Sequence, residues 1–163
     1  MITLVLGGAR SGKSQVAETM AARRPPVTYV ATMHPDPDDA DLAERLDHHR
    51  RRRPATWRTV EPPFDLPTVL TETADTVLVD SLGPWLTALP DMVADHDALR
   101  RALTSRTDPV IVVSEEVGMG VHPPTEAGRR FCDELGRLNQ TVAAVADECL
   151  LVVAGRVLRL DQP

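Results

Sequence analysis

Lysine is almost missing from this chain: among its 18 Lys and Arg residues, Lys13 is the single lysine. An Asn-Lys-x-Asp guanine reader of the kind found in signalling GTPases is thereby excluded, because Lys13 sits in no such tetrapeptide. A lone lysine among arginines also marks a place where a compact, flexible ammonium fits and a planar guanidinium does not. Positive charge is in deficit overall. The net charge of -6 and pI near 5.3 exclude the broad basic surface that nucleic acid or an anionic membrane would require. Cysteine is scarce as well, and Cys132 and Cys149 lie in apolar-patterned segments without metal-ligand spacing, so they read as reduced core thiols. No run approaches the roughly 18 consecutive apolar residues that span a bilayer. Met1 leads into a short strand-like run rather than a charged segment and signal core, and the expected location is cytoplasmic.

What is present is enough apolar content for one core. At 163 residues and 42% hydrophobic composition, the chain is expected to form a single domain over residues 1–163. Residues 2–6, 27–32, 76–80, 109–114 and 149–154 are short apolar runs of the kind that form strands buried on both faces. Between them lie helical patterns, at Lys13 to about Arg23, Asp41 to about Arg51, and Thr125 to Ala146, with a short helix after the loop that opens at Pro62. After Gly155, residues 156–160 alternate and predict an antiparallel edge strand. Strands alternating with helices predict an α/β fold with a mostly parallel sheet flanked by helices.

The most specific motif is Gly7-Gly8-Ala9-Arg10-Ser11-Gly12-Lys13-Ser14, a full match to G-x-x-x-x-G-K-[ST] between a predicted strand and a predicted helix. This places the chain among P-loop NTPase-like proteins. The glycines allow a tight turn whose N–H groups converge on phosphate oxygens at a helix N-terminus. Lys13 is expected at the β- and γ-phosphates and the Ser14 hydroxyl on Mg²⁺. Asp80 ends an apolar strand, the position of a carboxylate that holds the same Mg²⁺ directly or through water. The alternative for Asp80 is a strand-terminal acid capping the next turn.

His48-His49-Arg50-Arg51-Arg52-Arg53 sets two imidazoles beside concentrated positive charge. Such a run is commonly a solvated face, and adjacent helical residues diverge by about 100°, so one His at most faces a site. The functional alternative is an imidazole nitrogen that attacks a nucleotide phosphorus, with arginines stabilising the departing pyrophosphate. His34, His96 and His122 read as surface residues. Trp57 and Trp85 read as either pocket lining or packing.

The P-loop, YVAT, RLDHHRRRRPATWRTVE, VLVDSLGPWL, EEVGMGVHP and GRLNQTVAAVADE occur in one order from residue 2 to about residue 154. Together they resemble the bifunctional adenosylcobinamide kinase/adenosylcobinamide-phosphate guanylyltransferase family. The resemblance implies phosphorylation of adenosylcobinamide, then transfer of GMP from GTP through a guanylylated histidine, which corresponds to His48. It implies nucleotide contacts from Gly7 to Ser14, from Ala31, Thr32 and Met33, from His49, Arg50, Arg51 and Arg52, and from Glu61. GTP and ATP would be the nucleotide substrates, with adenosylcobinamide as the other partner. A homo-oligomer, commonly a trimer, is also implied. Family members commonly carry Asn where this chain has Glu115, which adds negative charge beside a polyanion site. Gly83-Pro84 replaces a Thr-rich stretch, and residues 33–39 are unusually rich in Pro and Asp. The competing functions are a P-loop small-molecule kinase without guanylylation and a nucleotide-gated switch module.

Overall fold

The computed structural model describes residues 1–33, 47, 50–51, 53–61 and 65–162. In chain order its elements are β1 (Ile2–Gly7), α1 (Lys13–Ala21), β2 (Val27–Ala31), β3 (Arg58–Val60) and α2 (Leu66–Glu72). These are followed by β4 (Thr76–Asp80), α3 (Leu82–Ala88), a 3₁₀ turn (Pro90–Met92) and α4 (His96–Thr104). The last four are β5 (Val110–Glu115), α5 (Glu126–Ala143), β6 (Glu148–Val153) and β7 (Arg156–Leu160). Among the described residues, 7 strands form one sheet in the order β3-β2-β4-β5-β1-β6-β7. Every pairing is parallel except that of β6 with β7, so the expected antiparallel edge is present. Most of the predicted 41–51 helix lies outside the described residues, although Asp47, Arg50 and Arg51 are helical.

The period of two along each strand sorts the core into two layers. Leu4, Leu6, Val77, Val79, Val110 and Val112 face one side, where α2 to α5 supply Leu66, Leu70, Leu82, Leu86, Leu99, Leu103, Leu135 and Leu138. Val5, Tyr29, Leu78, Ile111 and Val113 face the other, against Ala17 and Ala21 of α1. Each fully buried leucine contributes about 1.5–3 kcal/mol against exposure, before the entropy of ordering it. Side-chain caps start three helices: Asp65 accepts from Thr68 N (3.0 Å), Asp95 from Ala98 N (2.8 Å) and Thr125 from Gly128 N (3.1 Å).

The structure adds elements that the apolar pattern did not mark. β3 is three residues long and carries no apolar run, and it pairs in parallel at the far edge of the sheet. α4 holds Leu99, Ala102 and Leu103 at helical spacing within a segment that is otherwise charged. His96, expected on the surface, is half-buried: Nδ1 lies 2.8 Å from Thr141 Oγ1 and Nε2 lies 2.8 Å from Glu134 Oε1. It staples α4 to α5. Cys132 and Cys149 are unpaired but half-buried rather than fully enclosed. Burial, then the neighbouring Glu148 carboxylate, pushes the Cys149 thiol up. Trp85 is core, whereas Trp57 packs at the edge of the second layer.

Candidate active site

Functional side chains gather at the carboxyl ends of the parallel strands, where open α/β sheets bind ligands. β1 ends at Gly7, and the chain turns through residues 8–12 into α1, whose first residue is Lys13. Gly12 has φ 94°, a left-handed conformation that favours glycine, and a Cβ there would sit tightly, 3.3 Å from Gly155 Cα. The loop is tied at both ends. Ser11 N donates to Gly8 O at 3.3 Å, and Gly155 N, in the β6–β7 turn, donates to Ser11 O at 2.8 Å. Lys13 Nζ lies 3.4 Å from Gly8 O and 3.6 Å from Glu115 Oε1.

Across the cleft, Asp80 closes β4. Its Oδ1 accepts from Ser14 Oγ at 3.0 Å and its Oδ2 from the Tyr29 hydroxyl at 2.7 Å. Burial, followed by the charge and hydrogen bond of Asp80, pushes the Tyr29 phenol far up, so it stays a donor. The Arg53 guanidinium covers the Tyr29 ring at 3.8 Å from its centroid, and the Trp57 ring is tilted beside it at 6.4 Å. Glu115 closes β5, accepting at Oε1 from Ser81 Oγ (2.7 Å) and at Oε2 from Gly83 N (3.0 Å).

The resulting cleft has a volume of about 580 Å³. Of the residues singled out in the sequence, Ala9, Arg10, Ser11, Gly12, Lys13, Ser14, Ala31, Met33 and Asp80 line it, and Gly7 and Gly8 form the turn beneath. Thr32 does not line it. Its buried hydroxyl donates to Ser81 O (2.6 Å) and accepts from Ser81 N (2.7 Å), holding the ends of β2 and β4 together. Arg50 pairs with Glu61 at 3.4 Å and Arg51 with Asp47 at 2.6 Å; all four are exposed and none lines the cleft. His48, His49 and Arg52 lie outside the described residues. Sequence reasoning passed over Tyr29 and Ser81, and named Arg53 only as the end of the arginine run. The available signal was that Tyr29 is the only tyrosine of the chain.

Comparison with solved structures supports the fold. The P4 protein of bacteriophage phi6 in complex with ADP aligns with a TM-score of 0.51 at 18% identity, covering 96% of this chain and 52% of that one. The flagellar accessory protein FlaH from Methanocaldococcus jannaschii aligns with a TM-score of 0.52 at 12% identity, covering 96% and 74%. Sequence relatives are nearer. The bifunctional adenosylcobalamin biosynthesis protein CobP of Pseudomonas aeruginosa is 41% identical over 165 residues, covering 95% of this chain and 94% of the relative. CobU of Salmonella typhimurium, with the same bifunctional description, is 37% identical over 177 residues, covering 95% and 97%. With residues 3–160 matching the family described as cobinamide kinase / cobinamide phosphate guanyltransferase, the chain belongs to that family.

Proposed function

We propose that this chain carries both activities for which its family is named, phosphorylating adenosylcobinamide and then transferring GMP from GTP to the product, within adenosylcobalamin biosynthesis. One observation carries the reading: Lys13, Ser14 and Asp80 converge on a single cleft in a chain matched by the family over residues 3–160. The Ser14 hydroxyl and Asp80 carboxylate, 3.0 Å apart, are hard oxygen donors suited to Mg²⁺. Among the described residues, no three His, Cys, Asp or Glu side chains form a metal cage, which suits an ion that keeps water and substrate phosphates as ligands. When bound, Mg²⁺ supplies charge neutralisation on the phosphate oxygens. Arg10, Lys13 and the loop N–H groups orient the triphosphate of ATP or GTP. Phosphoryl transfer then needs little covalent chemistry from the protein.

Guanylyl transfer needs a nucleophile, and His48 is the residue we assign. Its ring nitrogen forms a bond to the α-phosphorus of GTP as pyrophosphate leaves. An oxygen of the cobinamide phosphate then takes that phosphorus and frees the imidazole. His49, Arg50, Arg51, Arg52 and Glu61 are proposed as nucleotide contacts in this step, with Thr32 fixing the backbone beside Ala31 and Met33. Incubation with α-labelled GTP tests the assignment: acid-labile label should map to the peptide holding His48. His48→Ala should lose both label and GMP transfer while keeping kinase activity. Loss of both activities together counts against separate steps, and kinase activity without any label reduces the protein to a simple kinase.

We also propose a homo-oligomer, with a trimer expected. No helix among the described residues is long and apolar enough to cross a membrane, yet Val153, Val157, Leu158 and Leu160 of the β6–β7 hairpin are 38–60% exposed. A monomeric mass in solution would remove that proposal.

A further inference from the structure

Two carboxylates face the phosphate cradle from the ends of paired strands, Asp80 from β4 and Glu115 from β5. Asp80 bonds Ser14, on the side where the cation is proposed, whereas Glu115 Oε1 lies 3.6 Å from Lys13 Nζ, on the side proposed for phosphate. Family members commonly carry Asn at position 115, so this charge cannot serve a chemical step that the family shares. It acts instead on a property particular to this chain. Resting on the nucleotide reading above, we propose that Glu115 is a specificity-determining residue that makes the cradle select metal-bound nucleoside triphosphate and reject the metal-free form.

The carboxylate is pinned in place. Oε1 accepts from Ser81 Oγ at 2.7 Å and Oε2 from Gly83 N at 3.0 Å. A Cβ at position 83 would collide with Oε2, so a side chain there would push the carboxylate off that N–H. Gly83 and Glu115 both depart from the family pattern, and here they form one unit: glycine opens the seat and glutamate fills it with charge. The Lys13 and Glu115 side chains are 12% and 26% exposed, so water and salt screen them less than a surface pair.

Lys13 is expected to reach the β- and γ-phosphates. A phosphate oxygen bonded to Nζ where it now stands would lie within about 7 Å of Glu115 Oε1, inside the Debye length of about 8 Å at physiological ionic strength. Held by two donors, the carboxylate keeps its place while the triphosphate enters and shares its lysine. Coulomb repulsion from a fixed carboxylate scales with the charge of the ligand, and a divalent cation cancels about two charges of the triphosphate. The repulsion therefore falls mainly on the metal-free ligand. Rejecting that ligand keeps the cradle clear of a nucleotide that lacks the cation for transfer.

Glu115→Gln keeps the length of the side chain, an oxygen for the Gly83 N–H and an amide N–H for Ser81 Oγ, which can turn to accept. Titration of this variant with a fluorescent GTP analogue, in excess Mg²⁺ and in EDTA, tests the proposal without any turnover. The unsubstituted chain should bind the metal-free analogue about tenfold or more weakly than the metal-bound one. In Glu115→Gln the metal-free Kd should tighten about tenfold or more, and the metal-bound Kd by about threefold or less. Gly83→Ala should move the metal-free Kd part of the way in the same direction. In the Glu115→Gln background it should leave that Kd unchanged, because no charge remains to be displaced. Equal tightening of Glu115→Gln in both buffers overturns the selectivity, as does an unchanged or weaker Kd in EDTA. A Gly83→Ala effect of the same size in both backgrounds overturns the seat. An unsubstituted chain that binds the analogue equally in both buffers refutes this inference alone, and one that binds it in neither refutes the nucleotide reading first.

Discussion

Asp80 and Glu134 are both carboxylates withdrawn from bulk water and each bonded to a side chain of another element, yet they differ in setting. Asp80 binds Ser14 and Tyr29 at the carboxyl end of β4, where the sheet opens on the P-loop cleft. Glu134 binds His96 at 2.8 Å and Arg137 at 3.3 Å in the middle of α5, where α4 closes over it. Residue type and hydrogen bonding do not distinguish them. Placement does, because strand ends leave backbone and side chains facing a crevice while a helix–helix seam is filled by packing.

The comparison breaks most visibly at Asp80. Asp80→Asn removes the negative charge facing the proposed Mg²⁺ site while leaving an oxygen for one of its two donors. Kinase turnover should fall by about 10²-fold or more, comparable to removal of one preorganised electrostatic group. Thermal stability should change little, and circular dichroism melting together with steady-state rates will show both. A large loss of stability with activity retained would make Asp80 a structural group like Glu134.

Glu134→Gln should give the reverse. Burial alone raises the Glu134 carboxyl, but the His96 hydrogen bond and charge, then Arg137 and the Ala94 backbone, outweigh it and hold the group below its ordinary 4.5. A carboxyl depressed in the folded state stabilises above the unfolded value and loses that contribution as pH falls through the folded one. The variant should therefore unfold about 1.5–3 kcal/mol more easily at pH 7. That gap should shrink as the pH drops below 4.5, with nucleotide Kd unchanged throughout. Urea titrations across pH measure it, and a gap independent of pH would mean that packing rather than charge holds the seam.

The same contrast explains what could be read in advance. The cradle was legible because its residues are contiguous and each type has one expected purpose there: Gly12 for a positive φ, Lys13 for reach to phosphate in the proposed complex, Ser14 for a hard oxygen toward the proposed Mg²⁺. Asp80 was legible because a strand pattern ended on it. Glu115 also ends a strand, but its meaning depends on Gly83, Ser81 and Lys13 arriving from three other segments, and no spacing records that meeting. Tyr29 was hidden for a similar reason, since a tyrosine within an apolar strand reads as core until its hydroxyl is seen on Asp80. His96 looked like a surface residue because its partners, Glu134 and Thr141, are 38 and 45 positions away. β3 lacked any apolar signal, as its three residues pair on one side only.

The smallest expected effect sharpens the contrast within the α4–α5 seam. Asp95 caps α4 through Ala98 N, and His96 is the first residue of that helix, so the cap fixes where the imidazole points. Asp95→Ala should cost about 1 kcal/mol, the usual value for a lost N-cap. Combined with Glu134→Gln, it should cost less than the sum of the two single changes, because a frayed first turn has already loosened the bond that the second change removes. Neither single nor double variant should alter kinase kcat. Strict additivity in denaturant unfolding would show that cap and staple act independently, and a fall in kcat would mean that the seam reaches the cleft through α3, which packs on both α5 and β5.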